Sequence, residues 1–446
     1  MADSEGAFAV TSMAETDEER EALALAHVAA AERAARTPAG IDLALARPVA
    51  RVAIVGGGLM GSGIATACLR GGLAVTLIER DAAAAETAAE RVAGLLEGAV
   101  KRGKMTANAK KEHLQRLQTE ESIASAAGTA GTADLAIEAV FEDRDAKRSV
   151  FERLAAVLDP NTPIATNTSY LDPLDIAAGI DNPGRILGLH FFSPAHIMKL
   201  LEVVQTPTTS NATLATVFQL AERLGKIAVL SGICDGFIGN RMLQAYRRQA
   251  DYMLIDGCLP HEVDHAMRAF GMPMGPYELQ DLTGLQIAYA NRQRLAASRD
   301  PEERYVTIAD RLCEMGRLGQ RAGRGWYHYE EGDRTPHRDD DVERLIVQLS
   351  AVDRVDRRRF SETEIQDRLL AALINEGGHI LDEGIAARSG DIDLVKIHGY
   401  GFPRKRGGPM YYAENVGRKT ILHAMQAVAL QSPNSWRISR YLDAGR

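Results

Sequence analysis

A histidine inside one apolar run, Ile186-Leu-Gly-Leu-His190-Phe-Phe192, and a glutamate inside another, Lys199-Leu-Leu-Glu202-Val-Val204, are the residues of this 446-residue chain best suited to proton chemistry. A histidine alone in a strand is usually a satisfied core residue. A carboxylate alone in an apolar strand is costly to bury without a partner. If the two strands are neighbours, the pair explains itself: Glu202 holds one imidazole nitrogen while the other faces a substrate as general base. Ser169 closes a third run, Ala165-Thr-Asn167-Thr-Ser169. Strand ends are where open parallel sheets place their ligands.

A second constellation precedes these. Arg51-Val-Ala-Ile-Val55 runs directly into Gly56-Gly-Gly58-Leu59-Met60-Gly61, and Ser62 to Leu69 continue as a helical pattern. Gly56 permits a tight turn, Gly58 lets the backbone approach a pyrophosphate, and Gly61 lets the helix pack closely on the strand. Phosphates then sit at a helix N-terminus, where N–H groups and the dipole favour an anion. A lone G-x-G-x-x-G is weak evidence; here a strand precedes it, a helix follows, and Glu79 ends the next strand. That carboxylate accepts hydrogen bonds from ribose hydroxyls and repels a 2′-phosphate, which favours NAD over NADP. Arg80 beside it is the feature that would suit a 2′-phosphate.

The elements that must position these residues alternate in type. Apolar runs at 51–55, 74–79, 134–140, 163–167, 186–192, 200–204 and 227–231 are separated by helical patterns, which specifies a mostly parallel sheet with helices on both faces. After Gly232 the pattern is helical. The expected class is therefore α/β, a Rossmann-type doubly wound sheet followed by two tandem all-α domains. The boundaries are an N-terminal extension at 1–50, the sheet domain at 51–232, a helical domain at 233–329, a linker at 330–358 and a second, diverged helical domain at 359–446. Within the extension, residues 1–15 are expected to lack fixed structure. Thr16 and Glu19 form a capping box for an Ala-rich helix to about Ala35, ended by Pro38 and Gly40. Its weak apolar face implies that it lies on another part of the protein.

The helical part contains a repeat. Asn240-Arg241-Met242-Leu243 and Asp256-Gly257 recur at an offset of 127 as Asp367-Arg368-Leu369-Leu370 and Glu383-Gly384, and Gly271-Met-Pro has a counterpart in Gly401-Phe-Pro.

Composition bounds the rest. A net charge of -8 gives no attraction to phosphate backbones, so nucleic acid is not an expected partner. No apolar run approaches the roughly 18 residues that span a bilayer, and no secretory pattern opens the chain, so it is expected to be cytoplasmic without membrane association. Cys68, Cys234, Cys258 and Cys313 form no C-x-x-C pair and are read as reduced thiols; no metal is expected.

Together, Gly56-x-Gly-x-x-Gly61, Glu138-Ala-Val-Phe-Glu142, Asn167-Thr-Ser169, His190-Phe-Phe-x-Pro194, Glu202 and Asp235-Gly-Phe-Ile-Gly-Asn240-Arg241 resemble the L-3-hydroxyacyl-CoA dehydrogenases of fatty-acid β-oxidation, over residues 51–446. Phe192-Ser-Pro-Ala-His-Ile-Met-Lys199, Gly325-Trp-Tyr327 and Gly399-Tyr-Gly-Phe-Pro403 look like phrases from the dehydrogenase part of multifunctional enzymes of the peroxisomal kind. The Ala-rich helix is similar to the one that follows a hydratase/isomerase domain there, a domain expected to be absent here.

The resemblance implies NAD-dependent oxidation of an L-3-hydroxyacyl-CoA to the 3-oxoacyl-CoA. His190 would take the hydroxyl proton, Glu202 would orient it, and Ser169 and Asn240 would bind substrate oxygens. The cofactor would contact Gly56, Gly58, Leu59, Met60, Gly61, Glu79, Glu142, Lys147, Asn167 and Ser193, the last standing where many shorter members carry asparagine. Lys101-Arg-Gly-Lys104 is a candidate for the nucleotide end of CoA or a solvated helix end. Short relatives pair through one helical domain, so two in tandem imply a monomer with an internal pseudo-dimer rather than a homodimer, the second unit being structural and catalytically idle. A separate hydratase is a possible partner. Two other functions compete: a dehydrogenase of the same scaffold acting on a small hydroxy acid, and a non-catalytic subunit of a hydratase.

Overall fold

The computed structural model describes residues 16–126, 128, 131–431 and 436–443; the segment 1–15, expected to lack fixed structure, lies outside them. Eight strands form one sheet in the order β3-β2-β1-β4-β5-β6-β7-β8. They are β1 Arg51–Val55, β2 Ala74–Ile78, β3 Leu117–Glu120, β4 Leu135–Glu138, β5 Ile164–Thr166, β6 Ile186–Phe191, β7 Leu200–Gln205 and β8 Ile227–Ser231. All neighbours pair in parallel except β6 and β7, which are antiparallel. Along β1, Val52 and Ile54 enter one core cluster and Ala53 and Val55 the other. A strand covered on both faces reads as a continuous apolar run, which is why seven of the eight are visible in the sequence. β3 is the exception: Leu-Gln-Thr-Glu lies at the sheet edge, only partly buried.

The chain divides into two compact units. The sheet unit comprises Val28–Asn240 together with Gly384–Tyr400. The helix Ser389–Tyr400, which the sequence reading placed in the last helical domain, packs here against β7 and β8. It approaches closely enough that a Cβ on Gly399 would fall 2.5 Å from Leu200 Cδ2, and Gly232 N–H donates to the Ile385 carbonyl just before it at 2.8 Å. The N-terminal helix Asp17–Arg36 begins with the expected capping box, Glu19 N–H donating to Thr16 Oγ1 at 3.2 Å and Thr16 N–H to Glu19 Oε2 at 3.1 Å. Its second half is held to the helix Ser389–Tyr400 through Arg388 Nη1 to the Ala34 carbonyl, 3.1 Å, and His398 Nε2 to Glu32 Oε1, 2.8 Å.

The helical unit contains Arg241–Glu383 and Gly401–Arg446. The repeat appears in its elements: Gly239–Asp256 corresponds to Glu362–Asp382, and Pro276–Thr283 to Pro409–Val416. Contacts repeat as well. Arg241 Nε donates to Glu376 Oε1 at 2.6 Å, and 127 residues on, Arg368 Nε donates to Gln249 Oε1 at 2.9 Å. Arg241 also reaches Glu383 at 2.5 Å, and Arg368 reaches Asp256 at 3.4 Å. Residue i meeting j while the counterpart of j meets the counterpart of i is the signature of an isologous interface.

The expected linker at 330–358 is corrected in part. Its polar opening conceals a helix, Asp340–Val352, capped by Asp339 and burying Val342 and Ile346. Arg357, in the segment that follows, donates to the carbonyls of Leu254 at 2.7 Å, Gly257 at 3.0 Å and Cys258 at 3.1 Å. It thereby satisfies the C-terminal end of the helix Gly239–Asp256.

Candidate active site

The glycine loop after β1 has the shape that a pyrophosphate requires. Gly56 adopts φ +97°, and a Cβ there would lie 2.7 Å from the Ala139 carbonyl oxygen. A Cβ on Gly61 would fall 1.7 Å from the Gly56 carbonyl oxygen, whereas at Gly58 it would meet nothing within 4 Å. The helix Leu59–Arg70 starts at Gly58 with no side-chain cap, so the main chain at Leu59, Met60 and Gly61 presents its N–H groups as an anion cradle. Glu79, just past β2, accepts from Gly57 N–H at 2.7 Å, which seats its carboxylate against this loop; Arg80 is turned to solvent beside Asp81. These features fit a dinucleotide with free ribose hydroxyls.

At the other strand ends a buried charge cluster sets the loop that carries Ser169. Glu138, fully buried at the end of β4, accepts from Lys147 Nζ at 2.9 Å, Thr166 Oγ1 at 2.8 Å and Val140 N–H at 2.6 Å. Burial pushes the Glu138 carboxyl above its usual range, opposed by the Lys147 ammonium. Lys147 also reaches Glu142 at 3.3 Å, and Glu142 accepts from Thr168 Oγ1 at 2.5 Å and from Ser169 N–H at 2.8 Å. Lys147 is itself buried, so the charge that the resemblance gives to the cofactor is spent first on two carboxylates. Asn167 Oδ1 accepts from Phe191 N–H at 2.9 Å, tying the end of β5 to the end of β6. Ser193 lies exposed two residues past β6.

His190 and Glu202 are register partners in the antiparallel pair β6–β7. His190 Nδ1 is 2.6 Å from Glu202 Oε2, and both side chains are buried. A carboxylate only accepts, so this contact calls for the proton on Nδ1; in the neutral ring Nε2 then keeps its lone pair, the tautomer that a general base needs. Glu202 Oε1 accepts from Gly239 N–H at 2.9 Å and Ile238 N–H at 3.2 Å, so it also caps the helix Gly239–Asp256. Asn240, in the first turn of that helix, donates through Nδ2 to the Ser169 carbonyl at 3.4 Å. Phe192 and Phe237 wall the imidazole, with ring centroids at 4.4 and 5.7 Å. Phe237 holds a left-handed backbone, φ 50°, sparsely populated by non-glycine residues and frequent at functional sites.

The four residues read from sequence as catalytic, His190, Glu202, Ser169 and Asn240, are thus connected by contacts within the sheet unit. Lys101–Lys104 is the exposed end of the helix Ala82–Lys101. Sequence reasoning assigned no role to Glu138, although the signal was the one used for Glu202: a carboxylate in an apolar strand, here followed nine residues later by a lysine.

Residues 51–234 match the family model of the 3-hydroxyacyl-CoA dehydrogenase, NAD binding domain, and residues 236–329 that of the 3-hydroxyacyl-CoA dehydrogenase, C-terminal domain. The peroxisomal bifunctional enzyme of Cavia porcellus is 39% identical over 431 residues, 93% of this chain and 59% of that protein, so the chain spans about three-fifths of that relative. A crystal structure of 3-hydroxybutyryl-CoA dehydrogenase from Escherichia coli K12 is 26% identical with TM-score 0.77, covering 89% of this chain and 98% of the other. FadB2 of M. tuberculosis is 34% identical with TM-score 0.60, covering 64% of this chain and 100% of its own. Among the described residues no helix is long and apolar enough to cross a membrane. By both matched domains and by similarity over the whole of FadB2, the chain belongs to the 3-hydroxyacyl-CoA dehydrogenase family and carries that family's NAD-binding domain.

Proposed function

We propose that the chain oxidises L-3-hydroxyacyl-CoA to 3-oxoacyl-CoA with NAD. The observation that carries this is the buried His190–Glu202 dyad, with its free imidazole nitrogen, in the same compact unit as the glycine cradle. Bound NAD supplies the acceptor for the C3 hydride. His190 Nε2 takes the C3 hydroxyl proton as the C–H bond breaks, and Glu202 stabilises the imidazolium that results. In the reverse direction the imidazolium returns the proton to the forming alkoxide. Asn240 Nδ2 and the Ser169 hydroxyl hold substrate oxygens at the reacting carbon. Gly56, Gly58, Leu59, Met60 and Gly61 hold the pyrophosphate, and Glu79 the adenosine ribose. Glu142, Lys147, Asn167 and Ser193 shape the nicotinamide end.

The substrate class is one that hydration of a 2-enoyl-CoA supplies, which makes a separate hydratase a natural partner. The reciprocal contacts Arg241–Glu376 and Arg368–Gln249 support a monomer in which the two helical repeats replace a dimer interface. Among the described residues Cys68, Cys234, Cys258 and Cys313 form no disulfide.

The test is a kinetic series over 3-hydroxyacyl-CoA esters of increasing chain length, with the free acids alongside, each with NAD and with NADP, followed at 340 nm. NADH formation from the CoA esters supports the reading. Turnover of free acids alone would move the activity to small hydroxy acids, and no turnover at all would overturn it.

A further inference from the structure

We propose that Tyr400, in the second helical repeat, is a positioning residue for Asn240 and hence for the oxidation, an inference that rests on the function proposed above. The repeat therefore does more than cover a surface. Its helix Ser389–Tyr400 belongs to the sheet unit, outside both matched family domains, and ends at the active site.

The Tyr400 hydroxyl donates to Asn240 Oδ1 at 2.9 Å, while Asn240 Nδ2 donates to the Ser169 carbonyl at 3.4 Å. A carbonyl oxygen can only accept, so Ser169 requires the amide nitrogen on its side, and the tyrosine hydroxyl supplies the donor that the amide oxygen then needs. With both ends engaged, the amide is fixed in one orientation and its second N–H remains for a substrate oxygen. Without the hydroxyl, a 180° turn of the amide would present an acceptor to that oxygen.

The ring is held on several sides. Phe192, which also packs on His190, meets it edge-on at 5.6 Å, and Lys396 Nζ lies 4.0 Å from its centroid. A Cβ on Gly239 would fall 2.5 Å from the Tyr400 ring, so the helix start that carries Asn240 lies directly against it. The two repeats differ at this point. Gly271-Met-Pro and Gly401-Phe-Pro correspond, and the residue before them is Phe270 in the first repeat and Tyr400 in the second. The second repeat's counterpart of Asn240 is Asp367, which has no amide to orient. The hydroxyl is present in the repeat that meets the catalytic amide.

Tyr400→Phe removes the hydroxyl and leaves the ring. Acetoacetyl-CoA reduction by NADH should fall about three- to tenfold in kcat, the effect of one lost hydrogen bond, with KM for NADH and the melting temperature unchanged. In an Asn240→Ala background the same substitution should have no further effect. A Tyr400→Phe variant with wild-type kcat overturns the proposal alone. So does an equal loss with and without Asn240, which would show a structural role independent of the amide. An unmodified chain that turns over no 3-oxoacyl- or 3-hydroxyacyl-CoA overturns the functional reading and this inference with it.

Discussion

Glu202 stands directly opposite His190 across the β6–β7 pair, and its two oxygens are divided: Oε2 lies 2.6 Å from the imidazole and Oε1 accepts from the start of the helix that carries Asn240. One side chain thus fixes both His190 and the helix that carries Asn240. In Glu202→Gln the amide oxygen can keep the backbone N–H groups while the NH₂ donates to Nδ1, which moves the ring proton to Nε2 and removes the lone pair that the base needs. We expect kcat to fall on the order of 10²-fold, the lower end of what acid–base assistance contributes. Unchanged kcat would remove Glu202 from the mechanism.

The cofactor preference can be tested at one carboxylate. Glu79→Ser should relax the preference for NAD over NADP, because the charge that repels a 2′-phosphate is gone while Arg80 remains beside the site. The ratio of kcat/KM for the two cofactors reports this, and an unchanged ratio would place Glu79 away from the ribose. Gly61→Ala should abolish NAD binding, since its Cβ would fall 1.7 Å from the Gly56 carbonyl oxygen and displace the loop. NAD affinity within a factor of two of the wild type would contradict the assigned loop geometry.

Stability of the helical unit should hinge on Asp281. Its buried carboxylate accepts from Trp326 N–H and Tyr327 N–H, both at 2.9 Å, and from Tyr329 Oη at 3.0 Å, anchoring the segment 325–329. Asp281→Ala strands two buried backbone donors and a hydroxyl, so unfolding in urea should show a loss of about 3 kcal/mol or more. A loss below about 1 kcal/mol would mean that the segment is held by packing alone.

Assembly follows from the reciprocal arginine contacts. If the repeats satisfy one another within the chain, light scattering should give a constant mass near 48.3 kDa across concentrations. A constant mass near twice that value would show a true homodimer. Ending the chain near residue 355 should expose the apolar surface that Leu369, Leu370 and Leu373 now bury and leave a poorly soluble protein. A soluble, fully active truncation would deny the second repeat this role.

The dyad and the glycine cradle were legible in the sequence because few physical situations explain them: a carboxylate in an apolar strand needs a partner, and glycines at that spacing after a strand need a close approach. Strand β3 was not legible, because a half-exposed edge strand carries no apolar run. The helix Asp340–Val352 was hidden by three acids in its first turn, which serve its N-terminus and read locally as linker. The bond between Tyr400 and Asn240 spans 160 residues and depends on where a helix of the second repeat packs, which no local pattern encodes.

The most direct test of the account is His190→Gln, assayed for turnover and for NAD binding in the same preparation. The account predicts that oxidation of a 3-hydroxyacyl-CoA falls by at least about 10²- to 10⁴-fold, while the dissociation constant for NAD, measured by titration calorimetry, stays within a factor of two, because the glycine cradle and Glu79 are untouched. Adding Glu202→Gln should make the rate little worse, as expected of residues that act as a unit. Near-normal kcat in His190→Gln would contradict the assignment of the base and, with it, the proposed mechanism.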